Sequence, residues 1–367
     1  MKTQLSSLEL HYLMKELQLL VNGRLDQVYQ SSRKELILQF HIPQLGRKML
    51  KLMVPNYLYL TNVKEFSEKP PGFCMLLRKY IGNARLRHIK QLESERIVEL
   101  LFETKDAKFR LIIELFSKGN AIFCKEDYTI INPLEQQIWK DREVKKGVKY
   151  KHPEKEYNLF NLKQNELKEI INKSTRGSIV KTLAIDLGLG GVYSEELLLL
   201  SKIDKIKENL NDDEIKLLFN NITELVNKKI EPVLIRKDKD IVDIVPFDLQ
   251  YYKEYKKEPA KTYNEAFDVL SSLKLDEGTI RYNKKLEIVS IILSDQETTI
   301  KRLENEKEVN HRKGELIYEK YQIVDNILKE IKKAREKLSW QEIKDKLKGH
   351  KVVKEINEKE NKIIVDV

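Results

Sequence analysis

Between residues 280 and 338 the chain holds no proline, and its apolar residues return in steps of four and three. Tyr282, Leu286, Val289, Leu293, Ile300 and Leu303 make a first run; Ile317, Tyr321, Val324, Leu328, Ile331 and Leu338 continue in the same register. A heptad of this kind predicts one helix with a coiled-coil seam, roughly 90 Å long at about 1.5 Å per residue. Lys307, Asn310 and Gly314 fall on the seam between the runs and make a polar weak point. The chain offers no second heptad helix to receive this seam. Either two copies pair as a homodimer, or a returning helix from a missing C-terminal half follows Val367. WQEIKDKLKG then predicts a short helix, and VVKEI and KIIVDV predict a hairpin around NEKEN. Such a unit suits the tip of an antiparallel coiled coil, and the chain is expected to be one part of a longer protein.

The N-terminal half follows a different period. Residues 6–21 form an amphipathic helix, with Ser6 and Glu9 spaced as a capping box and Leu10, Leu13, Met14 and Leu17 on one face. Alternating segments follow at short intervals: LDQVYQ, ELILQFHI, KMLKLMVP, NYLYLT, ARLRHIKQL, RIVELLFE, KFRLIIELF, AIFC and TIIN. Pro70-Pro71-Gly72 introduces a helix, FCMLLRKYI, that Gly82 ends. An antiparallel meander with two helices is an α+β domain. A basic polar linker spans 140–156, and helical patterns fill 163–230. PVLIRK and DIVDIVPF read as a hairpin turning at Lys237–Asp240, rejoining the first sheet or packing beside it, with a short helix, YNEAFDVLSSL, after it. The expected divisions are 1–155, 156–230, 231–276, 277–339 for the coiled-coil helix and 340–367 for its tip.

Charge density narrows the function classes. Lys+Arg number 68 against Asp+Glu 58, a formal +10, and 34% of residues are charged. A polyanionic partner and heat adaptation both account for this. Cys74 and Cys124 sit in apolar runs and read as small buried hydrophobes, and six scattered histidines offer no zinc spacing. No apolar run approaches the ~20 residues of a membrane span, and MKTQLSSLEL has no signal-peptide core. The reading is a cytoplasmic protein with no metal and no cofactor.

No GxSxG, P-loop or HExxH occurs. GLGG, with Gly188, Gly190 and Gly191, joins two helical segments. It either makes a tight helical turn or presents backbone N–H groups to a phosphate. Arg78, Lys79, Arg85, Arg87, Lys90 and Arg96 crowd one stretch. In ARLRHIKQL, Arg85 and Arg87 share a face opposite Leu86 and His88. That face is either solvated or suited to nucleic-acid phosphates.

These blocks resemble the NFACT family of ribosome-associated quality-control factors over nearly the whole chain. SSLELHYLMKEL is similar to the family's first helix. PGFCMLLRKYIGNARLRHIKQLESERIVELLF is similar to its most recognisable block, and GLGGVYSEELLLLSKID to its helix–hairpin segment. The resemblance implies a DNA-glycosylase-like N-terminal domain, a helix–two-turn–helix relative (helix–hairpin–helix) after it, and a coiled coil. It implies binding to large ribosomal subunits obstructed by peptidyl-tRNA. It further implies recruitment of aminoacyl-tRNA for mRNA-independent C-terminal tails, alanine-rich in the bacterial branch, the ribosome making the bonds.

In the family an aspartate of the first helix and an Asp-Arg pair handle tRNA; by resemblance these roles fall on Glu9, Glu95 and Arg96. Both aspartates are glutamates here, one methylene longer. Glycosylases of this fold that begin Pro-Glu use the proline amine as nucleophile, whereas this chain begins Met-Lys-Thr-Gln and lacks zinc-ribbon cysteines. The expectation is a non-enzymatic RNA-binding factor. A general nucleic-acid-binding or DNA-repair accessory protein is the alternative, with an adhesin behind it.

Overall fold

The computed structural model describes residues 2–64, 69–139, 142–153, 156–238, 240–357 and 362–365, and only the backbone for residues 270–287. The chain divides into two compact units, Met1–Leu275 and Asp276–Val367.

The first unit is α+β, as its two periodicities require. Helix α1 (Ser7–Leu17) is followed by strands β1 (Arg24–Ser32), β2 (Glu35–Ile42), β3 (Gly46–Met53) and β4 (Tyr57–Thr61). Helix α2 (Gly72–Ile81) leads to β5 (Arg85–Gln91), β6 (Ile97–Glu103), β7 (Lys108–Glu114), β8 (Asn120–Lys125) and β9 (Ile130–Pro133). They form a nine-stranded sheet in the order β4-β3-β2-β1-β5-β6-β7-β8-β9, antiparallel throughout. Two meanders thus meet at β1 and β5, a narrow seam with Arg24 opposite Arg85.

One sheet face packs under α1, where Leu8, Leu13 and Leu17 join Leu86, Val98, Leu100 and Phe102 in the main core. The other face carries a smaller cluster, Ile97, Ile112, Ile122, Cys124, Ile130, Val144 and Tyr150. Two of these residues correct the sequence reading of 140–156 as a linker. Its described part is packed: Val144 lies in the short strand β11 (Glu143–Val144), paired with β10 (Gln137–Ile138). Buried Glu114 takes hydrogen bonds from Arg142 and from the Tyr150 hydroxyl. That carboxylate needs partners, and the basic stretch supplies them.

Helices α3 (Gln164–Lys173), α4 (Ile179–Lys181), α5 (Gly191–Ser201) and α6 (Asp212–Asn227) follow, with a π-type turn over Thr182–Asp186. The predicted hairpin is β12 (Val233–Lys237) and β13 (Asp240–Val245), with Lys237 paired to Asp240 and Lys239 outside the described residues. It packs beside the large sheet in a separate three-stranded sheet, whose order is β13-β12 and then β14 (Lys256–Pro259). The lysine-rich β14 gives no alternating apolar signal and was not expected.

The coiled-coil expectations need two corrections. Helix α7 (Tyr263–Glu319) absorbs the short helix expected before residue 277 and passes unbroken through the polar positions 307–314. The break falls instead at Lys320, with φ −105° and ψ 23°, before α8 (Tyr321–Arg335). Val289, Leu293, Ile300, Leu303, Ile317, Tyr321 and Leu328 are exposed; the Leu286 side chain lies outside the described residues. Ile331 leaves this set: with Ile327 it is buried against Ile343 of α9 (Trp340–Leu347) and against Val353 and Ile356 of β15 (Val353–Asn357). Val324 is half-buried. The seam is therefore split, because the tip hairpin, β15 with β16 (Lys362–Val365), draws a different face of α8 inward. Residues 358–361, 366 and 367 of that hairpin call lie outside the described residues. Among the described residues no helix is long and apolar enough to cross a membrane.

Candidate functional site

The site begins with the helix cap. Ser6 Oγ accepts from the Glu9 amide and Glu9 Oε2 accepts from the Ser6 amide at 2.8 Å, the reciprocal pattern of a capping box. The other carboxylate oxygen, Oε1, takes the Lys2 ammonium at 2.5 Å and the Tyr193 hydroxyl at 2.9 Å. Lys2 Nζ also donates to Asp243 Oδ1 at 2.6 Å and to the Ile244 carbonyl at 3.0 Å. Asp243 Oδ2 accepts from the Tyr252 hydroxyl at 2.5 Å. Burial opposes the Lys2 charge, but Glu9 and Asp243 outweigh it and hold the ammonium above its ordinary pKa.

The N-terminal segment in turn holds the β5–β6 connection, which turns through Glu93 at φ +49°. Ser7 Oγ donates to the Ser94 carbonyl at 2.5 Å. Gln91 Nε2 donates to the Ser7 and Glu95 carbonyls at 3.1 and 2.8 Å, and Arg96 Nη1 to the Leu5 carbonyl at 3.3 Å. Half-buried Arg96 has its pKa lowered by burial, opposed by Glu95 and Glu9. Ser94 Oγ is buried without a hydrogen-bond partner among the described residues.

The opposite wall is GLGG. Gly188 and Gly190 adopt φ +77° and +78°, conformations costly for any side chain. Buried Leu189 anchors the turn, and the amides of Leu189 and Gly190 donate to the carbonyls of Leu183 and Ala184 at 3.2 and 3.1 Å. Helix α5 then starts at Gly191, and its first-turn N–H groups have no acceptor within the helix. A Cβ at Gly190 or Gly191 would meet nothing within 4 Å.

These parts line one cleft of about 780 Å³, which brings together Glu9, Glu95, Arg96, Gly188, Gly190 and Gly191. Its chemistry is mixed. A helix start and a guanidinium favour an anion, while Glu95 adds an acceptor. Glu9 is 2% exposed, with both carboxylate oxygens engaged.

The remaining basic candidates lie outside this cleft. Arg78 Nε donates to the Val28 carbonyl at 2.7 Å, and Lys79 lies 5.7 Å from the Tyr80 ring. Arg85 and Arg87 are both exposed, with Arg87 paired to Glu103 at 2.5 Å and Lys90 to buried Glu99 at 3.4 Å. The expected grouping of His88 with Leu86 is corrected. A bulge between Leu86 and His88 shifts the register, so Ile89 follows Leu86 inward and His88 bonds Glu99 at 2.8 Å on the Arg85 side. Sequence reasoning missed Lys2, Asp243, Ser94 and Tyr193. Asp243 left a signal, since it falls in phase with inward Ile241 and Val245 on β13.

A family model described as NFACT N-terminal and middle domains matches residues 6–363. The chain is 35% identical over 391 residues to the archaeal Rqc2 homolog aRqcH of Methanocaldococcus jannaschii, covering 100% of this chain and 58% of that protein. It is 24% identical over 380 residues to the human ribosome quality control complex subunit NEMF, covering 94% of this chain and 35% of that one. The N-terminal structure of the fibronectin/fibrinogen-binding protein from Streptococcus suis superposes with a TM-score of 0.60 at 21% identity, over 73% of this chain and 99% of that one. At that identity the likeness speaks for the fold alone. The chain spans 58% of the archaeal relative and 35% of the human one.

Proposed function

The chain belongs to the NFACT family, and from that premise we propose that it is an RNA-binding factor of ribosome quality control that grips tRNA in the cleft between the Glu95–Arg96 turn and the start of α5. The whole protein binds large ribosomal subunits obstructed by peptidyl-tRNA in the cytoplasm. There it recruits aminoacyl-tRNA for mRNA-independent, alanine-type tailing, with the ribosome as the catalyst. Arg85, Arg87, Lys90, Arg78 and Lys79 give a wider basic surface, and the exposed apolar seam of α7 pairs with the rest of the protein or with a second copy.

One observation carries this reading: Arg96 and GLGG, far apart in sequence, line the same cleft. Guanidinium and helix-start donors on one concave surface suit a phosphodiester backbone, and an acceptor beside them suits base or 2′-hydroxyl donors.

Fluorescence-anisotropy titration of the chain with unfractionated tRNA tests it, with duplex DNA as competitor. The expected result is tRNA preference and affinity that falls steeply with salt. Arg96→Ala should reduce that slope by about one. Equal affinity for duplex DNA would favour a general nucleic-acid-binding protein. Binding unchanged by Arg96→Ala would remove the cleft from the reading. For the whole protein, co-sedimentation with large subunits bearing peptidyl-tRNA is the matching measurement.

A further inference from the structure

Glu9 corresponds to a residue expected to touch RNA, yet its carboxylate is already committed. Ser6 N–H holds Oε2, while Lys2 and Tyr193 hold Oε1. Lys2 is equally committed, with a side chain 7% exposed and bonds to Glu9, Asp243 and the Ile244 carbonyl. We propose that Lys2, Glu9 and Asp243 are positioning residues of the cleft, a buried ion network that sets the Arg96 turn against the start of α5 without touching RNA. The inference rests on the tRNA-cleft reading and assigns the work within it.

The connections run to both walls. From Lys2 the N-terminal segment carries Leu5, whose carbonyl receives Arg96, and Ser7, whose hydroxyl fixes Ser94. Lys2 is itself pinned to β13 through Asp243 and to β4 through the Tyr57 hydroxyl, which donates to the Lys2 carbonyl at 2.5 Å. Glu9 reaches the other wall through Tyr193, in the first turn of α5. Removing Lys2 alone leaves two carboxylates together in a buried site, a costly state that movement of the segment relieves. Removing all three charges leaves a neutral site of similar shape.

The experiment compares wild type, Lys2→Met and the triple variant Lys2→Met/Glu9→Gln/Asp243→Asn of the full 367-residue chain, titrated with unfractionated tRNA. Lys2→Met should weaken binding by about tenfold or more while leaving the slope of log K against log salt unchanged, because no phosphate contact is lost. The triple variant should return to within about threefold of wild type. A folded triple variant as weak as Lys2→Met would overturn the proposal, since a direct RNA contact by Lys2 or Glu9 cannot be restored that way. A salt slope reduced by about one in Lys2→Met would overturn it too.

Hydrogen exchange on the RNA-free proteins gives a second reading should the triple variant not fold. Lys2→Met should speed exchange of the Glu95 and Leu115 amides, which donate to Leu92 and Arg96 across this turn; unchanged rates there would overturn the positioning role. If wild type shows no tRNA binding, the tRNA reading fails, and the exchange rates alone then decide the positioning role.

Discussion

Gly191→Ala separates an RNA-binding helix start from a tight turn, because its two effects have opposite signs. Gly191 is exposed and opens α5, and a Cβ built there meets nothing within 4 Å. Its backbone lies outside the left-handed region that Gly188 and Gly190 occupy. Alanine is therefore accommodated without strain, and by restricting the unfolded chain it should raise stability by about 0.4–1 kcal/mol. Gly191 lines the open cleft, and on the tRNA reading an added methyl there crowds a phosphate approaching the first-turn amides. A hydrogen bond to a charged group contributes about 1.5–3 kcal/mol, so losing the approach should weaken tRNA binding about 10- to 100-fold. Chemical denaturation of the first unit and anisotropy titration of the same preparation measure both quantities. Weaker binding by a protein at least as stable as wild type cannot come from misfolding. Equal affinity would refute close backbone approach at GLGG and leave it as a turn.

Three further outcomes follow from named contacts. Arg96→Ala should lower tRNA affinity by about 1.5 kcal/mol or more, whereas Arg87→Ala, whose partner pair with Glu103 is solvent-exposed, should change it less than about threefold; the reverse order would move the RNA face from the cleft to β5. The apolar seam should drive self-association of this chain, and Leu293→Glu with Ile300→Glu, both now exposed, should shift the sedimentation profile toward monomer; identical profiles would exclude that face. Lys2 has its pKa raised in the fold above 10.5, so its contribution to stability is complete below that value and is lost as pH climbs through the folded pKa. The stability gap between wild type and Lys2→Met should accordingly shrink above about pH 10; a gap unchanged in that range would contradict the ion network.

The elements were legible where a single period governs a segment. Alternation in ELILQFHI and RIVELLFE gives β2 and β6, and the Ser6–Glu9 spacing gives the cap that the structure contains. Legibility failed where a tertiary partner outweighs the local pattern. The bulge at β5 reverses the side on which His88 lies. Glu114 converts an apparent linker into packed structure, and the tip hairpin recruits Ile327 and Ile331 in place of a continuous seam. The cleft belongs to the second kind, since nothing in MKTQLSS announces that Lys2 meets a β13 aspartate.

Glutamate at residue 9, where the family resemblance implies aspartate, has a physical consequence of its own. A capping box needs a side chain at the third helical position long enough to reach back to the cap amide, which glutamate or glutamine provides. Glu9 spends one oxygen there and the other on Lys2 and Tyr193. An aspartate, one methylene shorter, would give up the capping bond and withdraw from the network. Glu9→Asp should therefore loosen the α1 start by about 0.5–1.5 kcal/mol, the net worth of one hydrogen bond. If its carboxylate then becomes available to RNA, tRNA affinity should rise or hold while stability falls. A parallel loss of both would mean that in this chain the glutamate serves the cleft only through the geometry it maintains.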